Sequence, residues 1–197
     1  MIVNIRGTSG SGKTYLVREL MARAGPRHEV REAHPQRAGR DILVGYLLPL
    51  TALTAMAVVG DYTAECGGCD KFSWKGAADW VQGRVTELAL KRNHVIFEGA
   101  MVSSWTLRRF REMEVVAPVR VVVLTTPLAD CLASVEARRR ARGNDAPLNT
   151  SHTTDRYRSI LSMGQKHRAM GLHVEFLSRA EALAYCCELL SLPKELP

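Results

Sequence analysis

Residues 2–14 read Ile2-Val3-Asn4-Ile5-Arg6-Gly7-Thr8-Ser9-Gly10-Ser11-Gly12-Lys13-Thr14. The last eight match G-x-x-x-x-G-K-[ST] at every specified position, and the apolar run before them reads as a strand. Glycines at 7, 10 and 12 let the backbone curl until successive N–H groups face one concavity, which the positive end of the following helix extends. Such a loop grips anions. Gly7, Thr8, Ser9, Gly10, Ser11 and Gly12 form the cradle, Lys13 is a point charge for β- and γ-phosphates, and the Thr14 hydroxyl is placed to ligate Mg2+. Leu16, Val17, Leu20 and Met21 give the next segment helical spacing, so the loop stands in the strand-loop-helix setting that the chemistry requires.

Working outward, 197 residues with 46% hydrophobic content suffice for one substantial core, and a single domain over 1–197 is expected. The longest apolar stretch, around residues 42–60, is broken by Tyr46, Pro49, Thr51 and Thr54, so no membrane span is expected. A phosphate loop beginning at Gly7 occupies the place of a targeting core, which points to a cytoplasmic protein. Five cysteines, an odd number, fit reduced thiols. The formal charge is +7, and eight Lys/Arg against Asp145 and Asp155 between Arg138 and Arg168 supply six of those charges. That stretch suits a polyphosphate or a nucleic-acid backbone.

Along the chain, residues 28–33 read as a short strand, and 42–48 with 55–59 as a hairpin-like pair. Residues 60–70, GDYTAECGGCD, suit neither regular structure and form a candidate functional loop. An amphipathic helix is expected over 76–91, a buried strand at 95–97 and a short helix over 105–113. The valine-rich run 119–124 is typical of a central parallel strand. Thr126-Pro127 opens a helix that runs into the arginines, 144–153 is a mobile connection, and a helix follows from Thr154. After a last strand at 173–177, Ser178 and Glu181 form a capping box. Strands alternating with helices imply a three-layer α/β fold with a central, mainly parallel sheet.

Several residues are candidates for chemistry. No Asn-Lys-x-Asp pattern specifies guanine, and the chain is short for a motor. Phosphoryl transfer needs preorganised positive charge and exclusion of water, which an arginine-rich lid supplies. Arg138 and Arg142 lie four apart with Arg139 beside them, and this arginine-rich segment after the penultimate strand resembles the lid of small P-loop kinases, which places it at about 138–153. Glu98 ends a strand at the carboxyl edge of the sheet, where ligands bind in open α/β folds, and is a second Mg2+ candidate. Asp61 ends another strand and is the first choice for general base, with Asp70 in reserve. Cys66-Gly67-Gly68-Cys69 lacks a second pair for zinc, so Gly67 and Gly68 read as a tight turn approaching a substrate. Tyr62, Trp74, Trp80 and Trp105 are candidate stacking surfaces. Asp155-Arg156-Tyr157 is treated as coincidental.

MIVNIRGTSGSGKT, GDYTAECGGCDKF, VIFEGAMVS and EARRRARGNDAPLNT together resemble bacteriophage P-loop kinases of the nucleotide-kinase-like superfamily, among them those that phosphorylate 5-hydroxymethyluracil in DNA. The resemblance implies an ATP- and Mg2+-dependent kinase with a lid, acting in the host cytoplasm on DNA that carries a modified pyrimidine. It further implies that Tyr62, Gly67, Gly68 and Asp70 face the acceptor. A kinase of free nucleosides or nucleotides is the alternative, and a non-catalytic nucleotide-binding module a third reading.

Overall fold

A strand buried along its whole length must be covered on both faces. Residues 2–6 have that pattern, and in the computed structural model, which describes residues 1–193, they are an interior strand with a parallel neighbour on each side. In chain order the elements are β1 (Ile2–Arg6), α1 (Lys13–Ala24), β2 (His28–Ala33), β3 (Asp41–Pro49), β4 (Ala55–Val59), α2 (Ala77–Leu90), β5 (His94–Glu98), α3 (Ala100–Ser103), α4 (Leu107–Glu114), β6 (Val119–Leu124), α5 (Leu128–Ala141), α6 (Ser151–Ala169), β7 (Val174–Leu177) and α7 (Arg179–Leu190), with a 3-10 turn at Cys69–Lys71. The last four residues of the expected domain lie outside the described residues.

The strands form one sheet in the order β2-β3-β4-β5-β1-β6-β7. From β4 to β7 all neighbours are parallel, whereas β3 runs antiparallel to both β2 and β4. The short 50–54 turn explains the reversal, because a parallel partner would need a crossover. Side chains alternate across the sheet: Ile2 joins a core with Val81, Phe97 and Phe110, while Val3 and Ile5 join Leu16, Leu20 and Cys186 on the opposite face.

Three local differences from the sequence expectation have physical causes. α3 was not expected, since its first N–H groups are satisfied by a carboxylate thirty residues away, Asp70 to Ala100 at 2.7 Å and to Met101 at 2.9 Å. α4 begins at Leu107 rather than Trp105, whose ring is buried against Phe97. α6 begins at Ser151 rather than Thr154, where the Asn149 side chain accepts from the Ser151 N–H at 3.1 Å.

Arg6, the last residue of β1, is buried. Its guanidinium donates to the Trp105 carbonyl at 2.7 Å, lies 3.3 Å from His167 Nδ1 and sits 5.0 Å over the Phe110 ring. Burial brings Arg6 down to about 10, and burial with the adjacent guanidinium brings His167 down to about 4, so the imidazole is neutral and can accept. The strand that leads into the phosphate loop is thereby tied to α6 and to the segment after α3.

The capping box opening α7 is formed in both directions: the Ser178 hydroxyl accepts from the Glu181 N–H, and the Glu181 carboxylate from the Ser178 N–H. Ser178→Ala should lower unfolding free energy by about 1 kcal/mol in urea titrations, with Ser178→Asn close to wild type.

Candidate active site

The phosphate loop closes onto α1 through Gly12, which holds a left-handed conformation at φ 93°. A Cβ there would stand 2.4 Å from the Arg179 side chain, so only glycine fits on both counts. The loop is held from outside: Thr126 Oγ1 donates to the Ser11 carbonyl at 2.8 Å, and Thr8 Oγ1 to the Thr153 carbonyl at 3.3 Å. Lys13 Nζ is buried and donates to the carbonyls of Gly7 and Thr8 at 2.9 and 3.0 Å. Burial lowers its pKa, while Glu98 and Asp70 act in the opposite direction.

Glu98 ends β5 with 1% of its surface exposed. Thr14 Oγ1 donates to its Oε1 at 2.9 Å, which sets a hydroxyl and a carboxylate side by side next to the lysine. Burial pushes Glu98 up to about 7, against the pull of Lys13 and the Thr14 hydrogen bond, with Asp70 adding to the rise. The backbone at Gly68 presses on this carboxylate: φ is 92°, and a Cβ would stand 2.5 Å from Oε1. Asp61 and Gly68 exchange backbone hydrogen bonds at 3.3 and 2.9 Å, so the 61–68 loop is a closed turn.

The two aspartates proposed as base lie on different sides of that loop. Asp70 lines a cavity of about 490 Å³ with Lys13, Thr14 and Glu98. Asp61, the first choice from sequence, lines a neighbouring cavity of about 340 Å³, and its Oδ1 accepts from Thr63 N–H at 2.8 Å and Thr63 Oγ1 at 2.6 Å. It forms the Asx turn that a short polar side chain favours in such a loop. The expectation for Tyr62 is corrected: it is 5% exposed, its ring packs against Tyr46, and it offers no open face. Trp105 is likewise core, and Trp80 meets Phe72 and Trp74 edge-on. Trp74 is half-buried beside His34.

Arg138, Arg139 and Arg142 all line the larger cavity, at the end of α5. Arg138 and Arg142 donate to Cys66 Sγ, and Arg142 also pairs with Glu65 at 2.9 Å. Arg139 holds the connection after α5 through Asn144 Oδ1 and the Ala146 carbonyl, both at 3.1 Å. The end of α5 therefore rests on the 61–70 loop.

Three arginines at the site escaped the sequence reading. Arg18 lines the cavity and donates to the carbonyls of Tyr62 and Ala64 at 3.0 and 2.5 Å. Arg179 lines it just past β7, the same carboxyl-edge position that singled out Glu98. Arg156, within the triplet set aside as coincidental, donates to the Ala100 carbonyl at 2.6 Å and lies near enough to Lys13 to depress its pKa. Six cationic side chains then face the cavity (Lys13, Arg18, Arg138, Arg139, Arg142, Arg179) against Glu65, Asp70 and Glu98, a balance suited to a polyphosphate.

A phosphate loop and an acidic strand end meeting under an arginine-rich helix end define the class: a P-loop kinase, a phosphotransferase. The chain belongs to the AAA domain family (AAA_33), whose model matches residues 2–160. It is 32% identical over 177 residues to a 5-hmdU DNA kinase of Pseudomonas phage PaMx11, covering 88% of each chain. It is 28% identical to a 5-hmdU DNA kinase of Pseudomonas phage M6, covering 86% of each. A third, from Delftia phage PhiW-14, is 26% identical over 87% of this chain and 65% of its own length. No solved structure matches the chain. No helix among the described residues is long and apolar enough to cross a membrane.

The raised Glu98 makes a linkage prediction for the free protein. Its folded value of about 7 lies above the ordinary 4.5, so the folded state holds the proton more tightly. Its stabilising contribution is complete below 4.5 and is lost as pH rises through 7. The stability of wild type relative to Glu98→Gln should fall by up to about 3 kcal/mol across that window in urea unfolding. A pH-independent difference would exclude the shift.

Proposed function

We propose that this protein is an ATP-dependent kinase that phosphorylates the hydroxymethyl group of 5-hydroxymethyluracil in DNA. The observation that carries the reading is the convergence of Lys13, Thr14, Glu98 and Asp70 in one arginine-lined cavity, in a chain similar to three phage 5-hmdU DNA kinases.

The residues suit the groups this chemistry requires. Ser9, Gly10 and Gly12 of the loop line the cavity beside Lys13 and Thr14, as befits a cradle for anionic oxygens. Thr14 and Glu98 offer the hard oxygen donors that Mg2+ prefers, and one or two protein oxygens suffice where phosphates and water complete the shell. When bound, the ion would neutralise charge on the β- and γ-phosphates. Lys13 serves as a fixed positive charge beside them, and Arg138, Arg139 and Arg142 cover the transferring group and exclude water. Arg179 and Arg18 add charge at the rim.

Asp70 is the base best supported by position. It shares the cavity with Lys13 and Glu98, and its two hydrogen bonds from the start of α3 hold the carboxylate still. It takes the proton from the acceptor hydroxyl as the new O–P bond forms and the bond to the β-phosphate oxygen breaks, which releases ADP and a phosphomonoester. Asp61, in the adjoining cavity, belongs to the acceptor side.

Labelled ATP with Mg2+ should transfer label to 5-hydroxymethyluracil DNA and to neither ordinary DNA nor free nucleosides and nucleotides. Label confined to a free nucleoside or nucleotide would overturn the acceptor. Asp70→Asn should lower kcat by ~10²-fold or more with little change in ATP affinity, whereas Asp61→Asn should act mainly on KM for the acceptor. The reverse pattern would return the base to Asp61.

A further inference from the structure

The β2–β3 hairpin carries positive charge that the phosphate cavity does not use. Its tip is held in a definite shape: His34 N–H donates to the Arg40 carbonyl at 2.7 Å, and Gln36 Nε2 donates to the Lys75 carbonyl at 2.9 Å. The His34 and Trp74 rings meet at 5.0 Å. Between the tip and residues 71–74 lies the cavity of about 340 Å³ that Asp61 also lines. Arg37, Arg40 and Lys71 reach it, are exposed, and make no ion pair with any described residue. Arg31 lines it too, shared with Glu29 at 3.1 Å, and Asp41 and Asp61 are the acids in its wall.

Exposed cations left without carboxylate partners next to aromatic rings have the composition of a single-strand nucleic-acid site, where guanidinium and ammonium groups follow the phosphates and bases lie on the rings. The location fits an acceptor. Asp61, Thr63 and Lys71 face this cavity, and Glu65, Cys66, Gly67 and Asp70 face the phosphate cavity, so the 61–71 segment is a wall common to both. A strand lying in one cavity can present a nucleotide across this wall to the other.

We infer that this cavity binds the DNA strand beside the acceptor nucleotide, with Arg37, Arg40 and Lys71 on backbone phosphates and the His34–Trp74 pair under a base. The inference rests on the reading of the acceptor as DNA. It moves the DNA contact away from the arginine-rich 138–168 stretch, whose Arg138, Arg139 and Arg142 serve the phosphate cavity.

The test compares wild type, Arg37→Ala/Arg40→Ala and Arg158→Ala/Lys166→Ala, the last pair lying exposed on α6. Anisotropy of a labelled 5-hydroxymethyluracil oligonucleotide is titrated at several salt concentrations, and KM for ATP and for DNA is measured in parallel. Loss of two phosphate contacts should reduce the slope of log K against log salt by about 1.4 for a single strand, or about 1.8 for a duplex. The hairpin variant should show that reduction and at least a ~10-fold rise in KM for DNA, with KM for ATP unchanged; the α6 variant should show neither. Unchanged DNA binding by the hairpin variant, or loss in the α6 variant instead, would overturn the assignment while leaving the DNA kinase reading intact. A wild type that phosphorylates only free nucleosides or nucleotides would overturn both.

Discussion

Parallel pairing of β1 with β5 is the constraint on which the site depends. Its register sets Ile5 opposite Glu98, so the strand that leads into the phosphate loop ends level with the strand that carries the acid. No short turn can impose that arrangement; α2 and the strands before it must first pack against the sheet. Once they do, the Thr14–Glu98 hydrogen bond spans residues 84 apart in sequence. The cost of burying a carboxylate falls on a single residue, and its position at the floor of a cationic cavity compensates for that cost when positive charge is near.

How much could be read from sequence follows the range of the interactions. The phosphate loop is contiguous, and both its conformation and its location after a buried strand were legible. So was the gathering at one cavity of Arg138, Arg139 and Arg142, which form a run, and of Glu98, which a strand-end rule selects. Asp70 was only a reserve candidate, because its place in the cavity is fixed by the first N–H groups of α3, far along the chain. Arg179 stands alone in sequence and joins the cavity only through the start of α7, while Arg156 comes near Lys13 only through the folding of α6. Tyr62 misled in the other direction: an aromatic residue in a polar loop suggests a stacking platform, yet Tyr46 from β3 packs against it and closes it off.

The phosphate loop and the strand before it are held from behind by α6. Thr8 reaches the Thr153 carbonyl near the start of α6, and Arg6 meets His167 near its end. α6 is thus attached to the phosphate loop near its start and to β1 near its end. The cradle is therefore held by α6 independently of the contacts that α5 makes across the cavity.

The sheet also has to end somewhere. β2 is an edge strand, with Glu29, Arg31 and Glu32 along it, and at the opposite edge β7 is only four residues long and carries Glu175. Charged side chains and short length at an open edge oppose pairing with a second copy through the exposed backbone groups. The β2–β3 hairpin therefore has a second effect: it terminates a seven-stranded sheet in a form that resists strand-to-strand aggregation.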